Sequence, residues 1–313
     1  MRPLKIGIAA IAIWLLTASY VKSGDENLKS SISYQVPFKL ERNRVIIPVS
    51  VNGSRELDIL LDTGMRFDGV YLFHKELADE IDMSGAIEVR VPGAGSGEAS
   101  TAMMIESGKI KFGDVVVDSQ KVIISQSAHT QGFGSDGVIG WNLFGHYTVG
   151  IDYDNERIAL HNTSFVQADT TWQTVPIVLK DDIPFLDAAV EAADGEKTTM
   201  SLYIDLASGD ALELLVRPDQ KFKMPDNLEK SYLGTGLSGD IYGSYGRTKS
   251  LTLGTYQLRH IKTAFAPAEV RSKQQRADGI LGDDCMRRFN IIFDYTHGFL
   301  YLKPNSYFET PFE

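Results

Sequence analysis

Four landmarks in this chain recur in the same order, each 139 to 143 residues after its first appearance. Val36-Pro37-Phe38-Lys39-Leu40 returns as Val175-Pro176-Ile177-Val178-Leu179, and the strand-like run that ends in Asp62 returns as Leu202-Tyr203-Ile204 ending in Asp205. Asp136-Gly137-Val138-Ile139-Gly140 returns as Asp278-Gly279-Ile280-Leu281-Gly282, and Gly150-Ile151-Asp152-Tyr153 as Ile292-Phe293-Asp294-Tyr295. A β-rich chain can repeat one such stretch by accident, but not an ordered series at a nearly fixed spacing. The sequence therefore describes one folding unit written twice, and 313 residues hold two units of ordinary domain size.

Each unit reads as β-structure. Short runs of Val, Ile and Thr alternate with turn residues, and the chain carries 28 glycines. Asn52-Gly53 between apolar runs is a hairpin signal that feeds the strand Leu57-Asp58-Ile59-Leu60-Leu61. Paired strands are expected about Ile110-Lys111-Phe112-Gly113 and again about Leu251-Thr252-Leu253-Gly254, with helix confined to short pieces near residues 74–81 and 283–289. Gly234-Thr235-Gly236-Leu237-Ser238-Gly239 satisfies the dinucleotide spacing GxGxxG, but glycine-broken β-sequence follows where that motif needs a helix, so a hairpin is expected. The expected division is an export signal at 1–23, a flexible leader at 24–34, a first lobe at 35–165 and a second at 166–313.

Residues 1–23 combine a basic start, Arg2 and Lys5, with an uncharged run from Ile6 to Ala18. This is the pattern of an export signal, either removed or kept as an anchor, and it predicts a periplasmic or extracellular protein. Cys285 is the only cysteine, so no intramolecular disulfide can form and packing must supply the stability. The net charge of −10, with no basic cluster, argues against nucleic acid as a partner. The six histidines, His74, His129, His146, His161, His260 and His297, show no metal-binding spacing, and neither a metal nor another cofactor is expected. A serine-nucleophile Gly-x-Ser-x-Gly elbow is absent as well.

An apolar strand that ends in Asp62-Thr63-Gly64 delivers a carboxylate to a tight turn, and the second unit delivers Asp205 at the corresponding place. These residues, with Val138-Ile139-Gly140 and Ile280-Leu281-Gly282, resemble the pepsin-like and retroviral-type aspartic peptidases. They are most similar to exported bacterial proteins with two retropepsin-like units in one chain. The resemblance runs over about residues 36–303. It implies an all-β, bilobal acid-protease fold, with two homologous barrel-like lobes and a cleft between them. It also implies a dyad of Asp62 and Asp205 supported by Thr63 and Gly64, and flap hairpins at the glycine-rich stretches. Gly93, Gly95 and Gly97 mark one flap, and Gly234 and Gly236 the other. The second loop reads Asp205-Leu206-Ala207, without the hydroxyl and glycine of the family pattern, and Met65 stands where a small residue is usual.

Two carboxylates that face each other share a proton, so one can act as base and the other as acid on a single water. The implied function is an exported aspartic endopeptidase that acts on peptide or protein substrates as a monomer, touching a membrane only through an uncleaved N-terminus. The altered second loop leaves an alternative open, in which the cleft binds an extended peptide or a partner's strand without cutting it.

Overall fold

The computed structural model describes residues 32–226, 228–271 and 277–313. The expected export signal at 1–23, and the leader up to residue 31, lie outside the described residues. The strand β1 (Ile32–Pro37) overlaps the expected leader, whose last residues are therefore strand. Among the described residues no helix is long and apolar enough to cross a membrane.

The first lobe comprises β2 (Lys39–Glu41), β3 (Arg44–Val51), β4 (Leu57–Leu61), β5 (Gly69–Leu72), β6 (Ile87–Val91), β7 (Ser100–Phe112), β8 (Val115–Ser125) and β9 (Gly137–Ile139). Six of them, in the order β3-β4-β9-β5-β8-β7, close into a ring through a β3–β7 pairing. After β9 come the single-turn helix α1 (Trp141–Phe144) and the strands β10 (Thr148–Asp152), β11 (Arg157–His161) and β12 (Gln173–Pro176). The second lobe then repeats the first with β13 (Val178–Lys180), β14 (Ile183–Glu191), β15 (Lys197–Asp205), β16 (Leu212–Val216), β17 (Lys230–Gly236), β18 (Gly239–Leu253), β19 (Tyr256–Pro267) and β20 (Gly279–Gly282). Here β14-β15-β20-β16-β19-β18 form the ring, closed by β14–β18. The helix α2 (Asp283–Met286) and strands β21 (Phe289–Asp294) and β22 (Phe299–Pro304) finish the chain. The architecture is all-β and bilobal, as the repeat and the resemblance implied.

The strands that carry the two aspartates are apolar on both faces for a structural reason. Leu57, Ile59 and Leu61 of β4 point into the main core and are fully buried, while Leu60 joins a separate cluster with Met65, Tyr71, Phe73 and Val138. In β15 Leu202 and Ile204 fill the main core and Tyr203 turns the other way, towards Phe185 and Ile280. A strand packed on both sides reads as a continuous apolar run rather than an alternating one. Each runs parallel to its partner, Leu61 beside Ile139 and Asp205 beside Gly282. The repeated acids Asp136 and Asp278 tie these pairs together, accepting the N–H of Asp58 at 2.9 Å and of Ser201 at 2.9 Å.

A third sheet, β1-β11-β10-β21-β22-β12, draws strands from both halves of the chain and lies under the two lobes. At its centre Val149, Gly150 and Ile151 pair with Phe293, Ile292 and Ile291. Two of the short helical segments fall where expected, a 3-10 turn over Lys75–Asp79 and α2, although α2 stops at Met286. The helix α1 was not anticipated, yet it follows Gly140 as α2 follows Gly282. The repeat itself carried that signal. Cys285 in α2 is buried, and its apolar surroundings push the thiol pKa up, away from reactivity.

Candidate active site

Asp62 and Asp205 lie together on the floor of a cavity of about 470 Å³ between the lobes. Each is placed by a strand end. The Asp62 N–H donates to the Ile139 carbonyl at 2.9 Å, and an added Cβ on Gly140 would come within 2.0 Å of the Asp62 carbonyl oxygen. Only a residue without a side chain lets the β9 end pass beneath the first aspartate turn. Gly282 serves the second turn similarly, where a Cβ would meet the Asp210 carbonyl at 2.2 Å.

The two loops are joined by one hydroxyl. Thr63 Oγ1 donates to the Ile204 carbonyl at 2.7 Å and accepts the Leu206 N–H at 3.2 Å, both across the lobe boundary. Leu206 has no hydroxyl with which to return the bond, and its side chain is fully buried in the main core. The second turn is nevertheless built. Asp205 Oδ1 accepts from Ala207 N at 2.9 Å and from Ser208 N at 3.2 Å, whereas Asp62 Oδ1 accepts from Gly64 N alone, at 2.6 Å. Thr63→Val would leave a buried carbonyl and a buried N–H unpaired, each worth roughly 1–3 kcal/mol. A loss of about 2–4 kcal/mol in denaturant unfolding is expected, and Thr63→Ser, which retains both bonds, should recover most of it.

Burial raises the pKa of both aspartates, and the charge of Asp205 raises Asp62 further. A third charge acts on the pair. Arg271, at the end of a 3-10 turn over Ala268–Arg271, lines the cavity and pulls both aspartates down, Asp205 most directly. Arg271 is held by Glu213 through two bonds, Nε to Oε1 at 2.9 Å and an η-nitrogen to Oε2 at 2.8 Å, with side-chain exposures of 13% and 2%. Asp205, with two N–H donors and the nearby guanidinium, is the better-stabilised anion, while Asp62 is the better proton holder. Asp210 also lines the cavity, beside Tyr245, whose hydroxyl donates to it at 3.1 Å.

The glycine-rich stretches form the roof. The β6–β7 tip and the β17–β18 tip meet, Ser238 N donating to the Ala94 carbonyl at 2.8 Å and Gly97 N to the Ser238 carbonyl at 2.6 Å. Gly93 N donates to Ser238 Oγ at 3.2 Å, and Gly95 N reaches the Val270 carbonyl at 3.1 Å, next to Arg271. Gly236 admits the approach, because a Cβ there would lie 2.2 Å from the Ala94 carbonyl. Gly95 has φ +127° and Gly234 φ +145°, the latter at an irregularity in the β17–β18 register. Thus Gly93, Gly234 and Gly236 line the cavity that holds the two aspartates, while Gly95 and Gly97 serve the contacts of the tip.

Arg271, Glu213 and Asp210 were not singled out from the sequence. Glu213 did leave a signal, as a lone acid inside Leu212-Glu213-Leu214-Leu215-Val216. Its partner lies 58 residues away, and no motif marks it.

Two barrels that each bring one carboxylate from a strand end to a common floor are the arrangement of the bilobal acid-protease fold. Residues 47–143, most of the first lobe, match the family described as aspartyl protease. The solved structure of the aspartic proteinase from Irpex lacteus is similar in fold, with a TM-score of 0.57 and 14% sequence identity, covering 88% of this chain and 98% of that one. No curated protein sequence matches the chain. The first lobe is thus similar to aspartyl proteases in sequence, and the chain as a whole shares the fold of an aspartic proteinase.

Proposed function

We propose that this chain is an exported aspartic endopeptidase, working as a monomer, in which Asp62 and Asp205 activate one water against a peptide bond. The observation that carries the reading is the pair of carboxylates at one cavity floor, each fixed by its own turn, with charge on one raising the pKa of the other. Export rests on the basic and apolar pattern of residues 1–23.

In this mechanism the dyad holds one proton, on Asp62. Asp205 takes a proton from the water as its oxygen attacks the peptide carbon, and Asp62 gives its proton to the carbonyl oxygen. Collapse of the tetrahedral intermediate breaks the C–N bond as the proton held by Asp205 passes to the leaving amine, and the hydroxyl that re-forms the carbonyl returns its proton to Asp62, which restores the one-proton dyad. The roof tips must part to admit an extended peptide and close again to exclude water.

The sign of the pH dependence follows. The working form carries one proton, so activity falls as pH drops and the second carboxylate is protonated, and falls again as pH rises and the shared proton is lost. Because burial and mutual charge raise Asp62, the upper limb lies above the ordinary carboxylate range. The test is cleavage of a diverse peptide mixture from acidic to neutral pH by wild type, Asp62→Asn and Asp205→Asn. Wild-type products that fall on the order of 10²–10⁴-fold in both folded variants are expected. Unchanged turnover in either variant would remove that residue from the mechanism.

The missing hydroxyl at Leu206 favours one second reading, a cleft that holds a peptide without cutting it. Tight peptide binding with no products at any pH would establish it in place of the first.

A further inference from the structure

The two walls of the cavity are related by the repeat but differ in chemistry. On the lobe-one side the lining, apart from Asp62 and Arg66, is apolar and largely aromatic: Leu60, Phe67, Tyr71, Phe73, Phe133 and Val138. Phe73 and Phe133 pack edge to face at 4.7 Å, which makes that wall a stiff apolar surface. The offset of 143 that relates Asp62 to Asp205 also relates Phe67 to Asp210. Where lobe one presents a ring, lobe two presents a carboxylate.

That carboxylate has no cation of its own. Its hydrogen-bond partner is the Tyr245 hydroxyl, and among the described residues no lysine or arginine forms an ion pair with it. Four charged or titratable side chains face it from the surrounding elements: Tyr245 on β18, Lys262 on β19, Glu213 on β16 and Arg271 on the 3-10 turn. Arg271 is committed to Glu213 by two hydrogen bonds, and Lys262 sits over the Tyr245 ring, 5.0 Å from its centre. Neither neutralises Asp210 directly.

We propose that Asp210 is a specificity residue that selects a lysine or arginine side chain on the lobe-two side of the scissile bond, opposite a bulky apolar side chain seated against Phe67 and its neighbours. The inference rests on the peptidase reading of the same cleft and adds to it the class of peptide. A cationic side chain would supply the partner that Asp210 lacks, in a cleft where low water content strengthens the pair. The Asp210 pKa is raised to about 6, first by burial and then by the Glu213 charge. The carboxyl is therefore ionised above about pH 6 and neutral below it, so the preference belongs to the upper part of the pH range and fades on acidification.

The experiment uses two peptides that differ only in lysine against norleucine at the lobe-two position, with a large aromatic residue across the scissile bond. Wild type is expected to favour the lysine peptide about tenfold in kcat/KM at pH 7, to lose that preference below pH 6, and to lose it at pH 7 in Asp210→Asn. A parallel arm measures binding of the same peptides by calorimetry to Asp62→Asn and to Asp62→Asn/Asp210→Asn. Equal cleavage of both peptides by wild type, or a lysine preference that survives in Asp210→Asn, overturns the proposal and leaves the peptidase reading standing. If wild type cleaves neither peptide, the peptidase reading fails and the binding arm decides. Tighter binding of the lysine peptide that vanishes with Asp210→Asn upholds the selection, and equal or undetectable binding overturns it.

Discussion

Gly140→Ala is expected to destabilise the chain by at least about 3 kcal/mol and to abolish activity together with stability. The new Cβ would sit 2.0 Å from the Asp62 carbonyl oxygen and 2.9 Å from Met65 Cβ. The first of these is backbone, so no rotamer change relieves it. Either β9 withdraws, breaking the Asp62 N–H bond to Ile139, or the Asp62 turn moves off the cavity floor. In the proposed mechanism a carboxylate displaced by even ~1 Å loses much of its rate. The control is Gly132→Ala, where an added Cβ meets nothing within 4 Å. That variant should unfold within about 0.5 kcal/mol of wild type. Denaturant midpoints for the pair check the prediction, and equal midpoints would mean that the β9 end is softer than its contacts imply.

Glu213→Leu should be the second severe change, costing about 3–5 kcal/mol because it leaves the Arg271 guanidinium enclosed without its anion. Replacing both partners, Glu213→Leu with Arg271→Met, should restore most of that stability, since a buried pair exchanged for apolar groups of similar volume is often neutral or better. The double variant then separates packing from electrostatics. Arg271 lowers both dyad carboxylates, and on Asp205 its influence exceeds the opposing one of Glu213. Without the pair both dyad pKa values rise, and the whole pH–activity profile moves to higher pH. A double variant as unstable as Glu213→Leu would show that the loss is one of packing rather than of an unpaired charge, and an unshifted profile would show that the ion pair does not tune the two aspartates.

What could be read in advance was what local chemistry and the repeat specify. Asp62-Thr63-Gly64 announces a carboxylate on a tight turn, Gly140 and Gly282 announce backbones crossing closely, and the spacing of Asp62 and Asp205 announces two equivalent lobes. The glycine-rich stretches were legible as hairpin tips because glycine alone tolerates such turns. That the tips bond to one another was not legible, since Ala94 and Ser238 meet only after both barrels have formed. Arg271 escaped for a related reason. A buried ion pair depends on which strands become neighbours, and β16 meets the turn after β19 through a pairing that no local pattern records. The effect of Leu206 was also half hidden, because Thr63 alone makes two of the cross-loop bonds.

The sheet beneath the lobes carries a different message. Gly150 lies opposite Ile292, its own counterpart at the repeat spacing of 142, while Val149 faces Phe293 and Ile151 faces Ile291. Each pairing is the mirror of the other when the two halves are exchanged. This is the signature of an isologous contact, in which one surface meets a copy of itself about a twofold axis. The central seam of this chain thus has the form of a homodimer interface joined by a tether over residues 162–172. Tethering releases the two copies from having to stay alike. One half could keep Thr63 while the other took up Leu206, and one wall could become aromatic while the other acquired Asp210. A symmetric dimer, bound to change both walls at once, has no access to such a cleft.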